Sequence, residues 1–253
     1  MGIKGDKRKI GLILSGQPLP IEGANIFMTQ PKVKDIVLFG EDDFLVAIQM
    51  LIEMEQFSEN IKQGNFELNI LSDFQLLLIM IEQDPTVKKM IFDLFELIFP
   101  DYEIKISEGA IDFIFEDQIV GRIHPFNFES FQNILHDVFI PQGDNEREPD
   151  YNPANDAAAQ IAEKIKRGRK KVHAQQAVSE GDQSLFAIYC STLSIGMHMD
   201  VNIFYEYTPF QLYDAFKRFF SKEASDFYMR VSSMPLMDTS KMEAPPDWNR
   251  NLY

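Results

Sequence analysis

Glu103-Ile-Lys-Ile-Ser-Glu108, Ile111-Asp-Phe-Ile-Phe-Glu116 and Gln118-Ile-Val-Gly-Arg-Ile123 follow one another in the chain and decide its fold class. The first two alternate apolar and polar residues, the period of strands with one covered face. Their separators, Gly109-Ala110 and Asp117, suit tight connections, so the three segments read as a small antiparallel meander. A three-stranded sheet needs a helical cover to be stable. The sequence on both sides supplies one.

Upstream, Pro31 suits a first helical position and Gly40 a stop, which predicts a helix between them. Asp42 and Asp43 open another, with Phe44, Ile48, Leu51, Ile52 and Phe57 on its apolar face. Ser72-Asp73 caps a third, whose run from Leu76 to Ile81 is apolar all round and is expected to be central. Asp84-Pro85 ends it and starts a fourth that reaches Pro100. Before these helices lie Gly2, Gly5, Gly11, Gly16, Pro18, Pro20 and Gly23, too many breakers for a long helix. Ile10 to Leu14 and Asn25 to Met28 therefore read as short strands or extended arms. Downstream of the meander a helix is expected from Asn127 to Phe139.

Pro141 to Asp150 is polar, with two prolines and a glycine, and reads as a linker. Asn152-Pro153 then starts an Ala-rich basic helix over 153–172. Asp182 or Ser184 opens a helix through Leu185, Phe186, Ile188, Tyr189, Leu193 and Ile195, with Gly196 near its end. Thr208 is a good N-cap and Pro209 a good first residue. Phe210, Tyr213, Phe216 and Phe220 recur at three- and four-residue spacing, with Leu212 and Phe219 widening the stripe. Asp214 and Arg218 stand at i,i+4 and can pair. A second short helix is expected to follow, with Ala224, Phe227, Tyr228, Val231 and Met234 inward and Pro235 closing it. The fold class is thus α+β and mostly helical: an acidic domain over 1–140 with the meander, a linker over 141–181 holding the basic helix, and an all-α module over 182–253 with an irregular tail.

Composition limits the function. A chain of 253 residues with 45% hydrophobic and 12% aromatic content is not a disordered one. Its single cysteine, Cys190, forms no internal disulfide and suits a reducing compartment, as does a beginning without an apolar signal segment. No apolar run approaches the ~20 residues that span a bilayer, so no membrane role is expected. The net charge of −15 is uneven: residues 10–150 carry eight basic and twenty-six acidic side chains, residues 151–253 twelve of each. The first half should repel nucleic acid. Within the second half Lys164, Lys166, Arg167, Arg169, Lys170 and Lys171 form a local basic patch, open to an acidic partner, to the acidic first half, or to solvent alone. Nucleic acid is the weaker reading, because residues 153–173 hold no stacking aromatic apart from His173.

No residue set argues for an enzyme. His124, His136, His173 and His198 form no short-spaced pair, so neither a metal nor a cofactor is expected. Cys190 with His198 as its base is conceivable on composition, but Cys190 sits in the apolar stretch Leu185 to Ile195 and reads as a small buried hydrophobe. No glycine pattern for phosphates occurs. The candidate partner-binding residues are Trp248, Phe210, Tyr213, Lys166, Arg167, Arg169, Lys170 and Lys171. The stripe holding Phe210 and Tyr213 is either a groove for a partner or a seam of the core. Trp248, with Pro245, Pro246 and Leu252 near it, either anchors an interface or packs back on its own chain.

Tyr151-Asn-Pro-Ala-Asn155 leading into the basic helix, Tyr207-Thr-Pro-Phe-Gln-Leu-Tyr-Asp-Ala-Phe-Lys-Arg-Phe219 and the closing Asp247-Trp248 resemble a group of tail-morphogenesis proteins of tailed bacteriophages and prophages of Gram-positive bacteria. Pro18-Leu-Pro-Ile-Glu-Gly23 and Gln30-Pro-Lys-Val33 are similar too, and the likeness is strongest over roughly the last hundred residues. It implies a non-enzymatic role in virion assembly, as in tail assembly chaperones, with other phage tail or virion proteins as partners. A structural component of neck, tail or baseplate is the alternative it implies. The expected location is the host cytoplasm during assembly, with the virion as the second place, and self-association is left open.

Overall fold

The computed structural model of the protein describes residues 7–54, 71–107, 109–140 and 184–233. Among them the chain runs α1 (Lys7–Ser15), β1 (Leu19–Ile21), β2 (Ile26–Met28), α2 (Val33–Phe39), α3 (Glu41–Ile52), α4 (Asp73–Gln83), α5 (Pro85–Ile98), β3 (Glu103–Ser107), β4 (Ala110–Phe115), β5 (Gln118–Ile123), α6 (Phe128–Phe139), α7 (Leu185–Met197), α8 (Val201–Tyr205) and α9 (Pro209–Ser232). Helix predominates, with one sheet of two strands and one of three, as the α+β reading expects.

The meander forms as read. Its order is β3-β4-β5, antiparallel throughout, with Glu103 opposite Ile114 and Ile111 opposite Ile123. Phe113 of the central strand is fully buried and carries the sheet onto its helices. Its ring lies 4.7 Å from that of Phe99, edge-on, and 6.5 Å from that of Phe95. Phe131 of α6 closes the cluster, 6.0 Å from Phe99 and 6.1 Å from Phe95. Edge-to-face rings at such spacing add to the area they bury. The β1–β2 hairpin clasps the outer strand: Arg122 N–H donates to the Ala24 carbonyl (3.0 Å) and Asn25 Nδ2 to the Val120 carbonyl (2.7 Å).

Helix ends follow local chemistry. At Ser72 and again at Thr208 the hydroxyl accepts from the backbone N–H three residues on, while the Gln75 or Gln211 amide oxygen accepts from the cap's own N–H. Both are capping boxes. The Asp84 carboxylate accepts from Thr86 and Val87 N–H ahead of α5, with Pro85 in the first turn. Asp214 and Arg218 pair at 2.9 Å, as their spacing predicts.

Three expectations are corrected. Ile10 to Leu14 belongs to helix α1, which buries Ile10 and Ile13. A side chain on Gly11 would meet nothing within 4 Å, so this glycine faces open space and the helix passes through it. The expected helix pair after Thr208 is one helix of 24 residues, because Ser221-Lys-Glu-Ala224 holds no breaker. In its second half Phe227 and Ala224 face out, where an inward position was expected. The C-terminal helices form as a helical region, and Phe186, Cys190, Leu193, Phe204, Phe210 and Leu212 join one buried cluster with the first half. The linker and basic helix (141–181) and the tail beyond Ser233 lie outside the described residues, as do Phe57, Met234 and Pro235.

Candidate interaction surface

Polar contacts fix the C-terminal helices to the rest of the fold at three places. The Glu41 carboxylate, in the first turn of α3, accepts from Leu185 N–H (2.7 Å), Phe186 N–H (3.3 Å) and the Ser184 hydroxyl, and so caps α7 from another element. At the far end of α2, Val33 N–H donates to the Tyr207 carbonyl (2.8 Å). Lys32 and Lys34 Nζ both reach the Glu206 carboxylate at 2.6 Å. Gln211 Nε2 donates to the Leu14 carbonyl (2.7 Å), joining α9 to α1. Glu206 is exposed, and its hydrogen bonds to Lys32 and Lys34 hold its pKa down to about 2.

With α7 held at its start, its two sides divide sharply. Phe186, Cys190 and Leu193 recur at i, i+4 and i+7 and face the core. Leu185, Ile188 and Ile195 fall on the opposite side and are exposed, Ile195 by 73%. Met197, Met199 and Ile203 extend this apolar strip across the turn into α8, where His198 takes the left-handed conformation that ends α7. Apart from Ser191, Thr192 and Ser194 this helix is apolar, yet only one of its sides is covered. Gly196 and Met197 also border a cleft of about 750 Å³ whose walls include Leu14, Tyr207, Gln211 and Phe219. Exposed apolar residues gathered on one side in this way make it the candidate contact surface.

The aromatic stripe of α9 is divided between core and seam. Phe210 is 3% exposed and belongs to the core, so the folded chain does not offer it to a partner. Its position two residues past the cap points it into the cluster with Leu212. Tyr213 is half-buried at the α7–α9 seam, where Tyr189 lies 6.5 Å from it and 4.2 Å from Phe216. Trp248, Lys166, Arg167, Arg169, Lys170 and Lys171 lie outside the described residues. The outer strip of α7 escaped the sequence reading. The largely apolar character of 185–195 was its signal, but nothing in the local pattern says which side the fold covers.

Cys190 is fully buried, and desolvation pushes its thiol up to about 11. A thiol so placed stays protonated near neutrality and is no nucleophile. His198 lies two turns further along, roughly 12 Å by helical rise. Among the described residues no three His, Cys, Asp or Glu side chains converge as metal ligands would, and no helix is long and apolar enough to cross a membrane.

Comparison with known proteins returns no match. No family model, no curated protein and no solved structure corresponds to this chain.

Proposed function

We propose that this chain is a non-enzymatic bacteriophage assembly protein, of the tail assembly chaperone kind, that holds other tail proteins against the outer face of α7 and the α7–α8 turn. The observation that carries the reading is the strip of Leu185, Ile188, Ile195, Met197, Met199 and Ile203, exposed on a helix whose opposite side is core. Methionines at its end make it adaptable to more than one apolar partner. The phage setting is supported by the resemblance at Tyr207 to Phe219, which covers the start of the helix packed beside this strip. Lys166 to Lys171 would add orientation and on-rate toward an acidic partner, more than affinity.

Affinity capture from infected or induced cells tests the proposal, with tape-measure, tail-tube and baseplate proteins sought by mass spectrometry. Retention of at least one of them by the wild-type chain, and its loss on Ile195→Asp, is the expected result. Purified virions then separate two roles. A chaperone is scarce in them, whereas a structural component is stoichiometric. Capture of no tail protein at all removes the reading.

A further inference from the structure

The three-stranded sheet is closed at one edge and open at the other. The β1–β2 hairpin covers the β5 edge, through Arg122 N–H to the Ala24 carbonyl and Asn25 Nδ2 to the Val120 carbonyl. Among the described residues no strand pairs with the outer edge of β3. Which backbone groups that edge offers follows from the hairpin. Ser107 faces Ala110 across a two-residue connection, and a turn of that length closes on a hydrogen-bonded pair. Bonded and non-bonded pairs alternate along an antiparallel ladder, so Ser107, Lys105 and Glu103 bond to β4. The N–H and C=O groups of Ile104 and Ile106 therefore point outward. Open groups of this kind are a template for another strand.

We propose that the strand received there is β3 of a second copy of this chain, antiparallel to the first about a twofold axis at Ile104. Charge selects both partner and register. Glu103 and Lys105 lie on one face of β3, their side chains 59% and 60% exposed. Within one chain they pair with each other at 2.8 Å, an exposed contact of little worth alone. With Ile104 opposite Ile104, Glu103 of each copy stands directly opposite Lys105 of the other. With Lys105 on the axis like charges would meet, which disfavours that register. A lone lysine on an edge repels a second edge, but the glutamate before it makes this edge self-complementary. On the opposite face, shared with buried Phe113, the pairing sets Ile106 against Tyr102. Ile106 is 40% exposed and gains the aromatic neighbour that favours cross-strand pairs. Each Ile104 N–H donates to the other Ile104 carbonyl, and each Ile106 N–H to the Tyr102 carbonyl opposite. Tyr102 N–H already donates to the Phe99 carbonyl (3.1 Å), so the ladder ends there. The assignment goes beyond the proposed function and rests on a different element.

Sedimentation equilibrium of the full chain over about 1 μM to 1 mM tests this, because a ladder so short makes a weak dimer. The wild-type mass should rise from monomer to dimer and stop there, as a twofold interface closes on itself. Glu103→Lys and Lys105→Glu should each weaken association by about tenfold, since each sets like charges opposite one another twice. Both side chains are exposed, so the thermal midpoint of the dilute protein should hold in either variant. An equimolar mixture of the two variants should associate again, lysines of one facing glutamates of the other. Hydrogen exchange at the Ile104 and Ile106 amides should slow as the wild type is concentrated. A wild type that stays monomeric throughout overturns the proposal, and so does a dimer that neither charge reversal weakens. A mixture no better than its components overturns it as well. Slow exchange at both amides at every concentration assigns the edge to another part of the same chain and overturns it too.

Discussion

Gly121 on β5 lies against the backbone of Ala24, so that a β-carbon added to Gly121 would stand 2.2 Å from the Ala24 carbonyl oxygen. It would also lie 2.5 Å from Ile26 Cγ2. Neither the carbonyl nor the short β-branched side chain can swing away, and the same oxygen already accepts from Arg122 N–H. Gly121→Ala should therefore cost about 3 kcal/mol, the upper end for overpacking, read as a lower urea midpoint. Gly196→Ala is the useful contrast. Its β-carbon would meet the Phe219 ring at 2.2 Å, but these atoms are the far end of a half-buried side chain. Alanine also regains about 0.5–1 kcal/mol of helix propensity inside α7, so the net loss should stay within about 1 kcal/mol. Equal losses at the two glycines would contradict the clasp at β5.

Glu41 should control how often α7 leaves the core. Glu41→Ala removes three acceptor contacts at the helix start, although Ser184 still accepts from Ala187 N–H (3.0 Å). Loss of a cap of this kind costs about 1–2 kcal/mol, equivalent to roughly 5–30-fold in an opening equilibrium. Cys190 reports it, because a fully buried thiol reacts with a disulfide reagent only when α7 opens. Labelling at pH 8 should be slow in the wild type and faster by that factor in the variant. Rapid labelling of the native wild type would contradict the burial of Cys190.

Acid should weaken the junction of α2 with the α8–α9 turn. Glu206 has a folded-state pKa of about 2 against an ordinary 4.5, depressed by hydrogen bonds from Lys32 and Lys34. A depressed carboxyl stabilises the fold above its unfolded value, and that contribution is lost as pH falls from about 4.5 toward 2. Glu206→Gln should flatten the part of the stability profile that lies in this window. The group is fully exposed, so the effect should shrink in ~1 M salt, where the screening length is about 3 Å. A variant whose acid slope matches the wild type would show that the pair is without consequence.

Local chemistry made much of this fold legible. Ser72 with Gln75, Asp84 with Pro85 and Thr208 with Gln211 announce helix starts through contacts within three residues, and the alternation of Glu103 to Phe115 fixes the meander. Glycine misled in α1, where Gly11 faces open space and does not interrupt a helix that Ile10 and Ile13 anchor. The short helix α8 has only Asp200 as its local signal, and was missed. Long-range relationships were not legible. Nothing around Glu41 says that it caps a helix starting at residue 185, and nothing in a largely apolar segment distinguishes Phe186 and Cys190, which enter the core, from Ile188 and Ile195, which do not. Phe210 and Phe220 share one sequence pattern yet differ in burial, 3% against 48% exposed, which the pattern alone does not distinguish.

The outer face of α7 bears the central claim, and Ile195 tests it most directly. Ile195 is largely exposed and outside the core, so Ile195→Asp should leave the thermal midpoint where it is. In affinity capture from phage-producing cells, the wild-type chain should retain a tape-measure, tube or baseplate protein that Ile195→Asp loses. Undiminished capture by a folded Ile195→Asp chain would contradict the account, and so would a drop in thermal midpoint large enough to explain the loss.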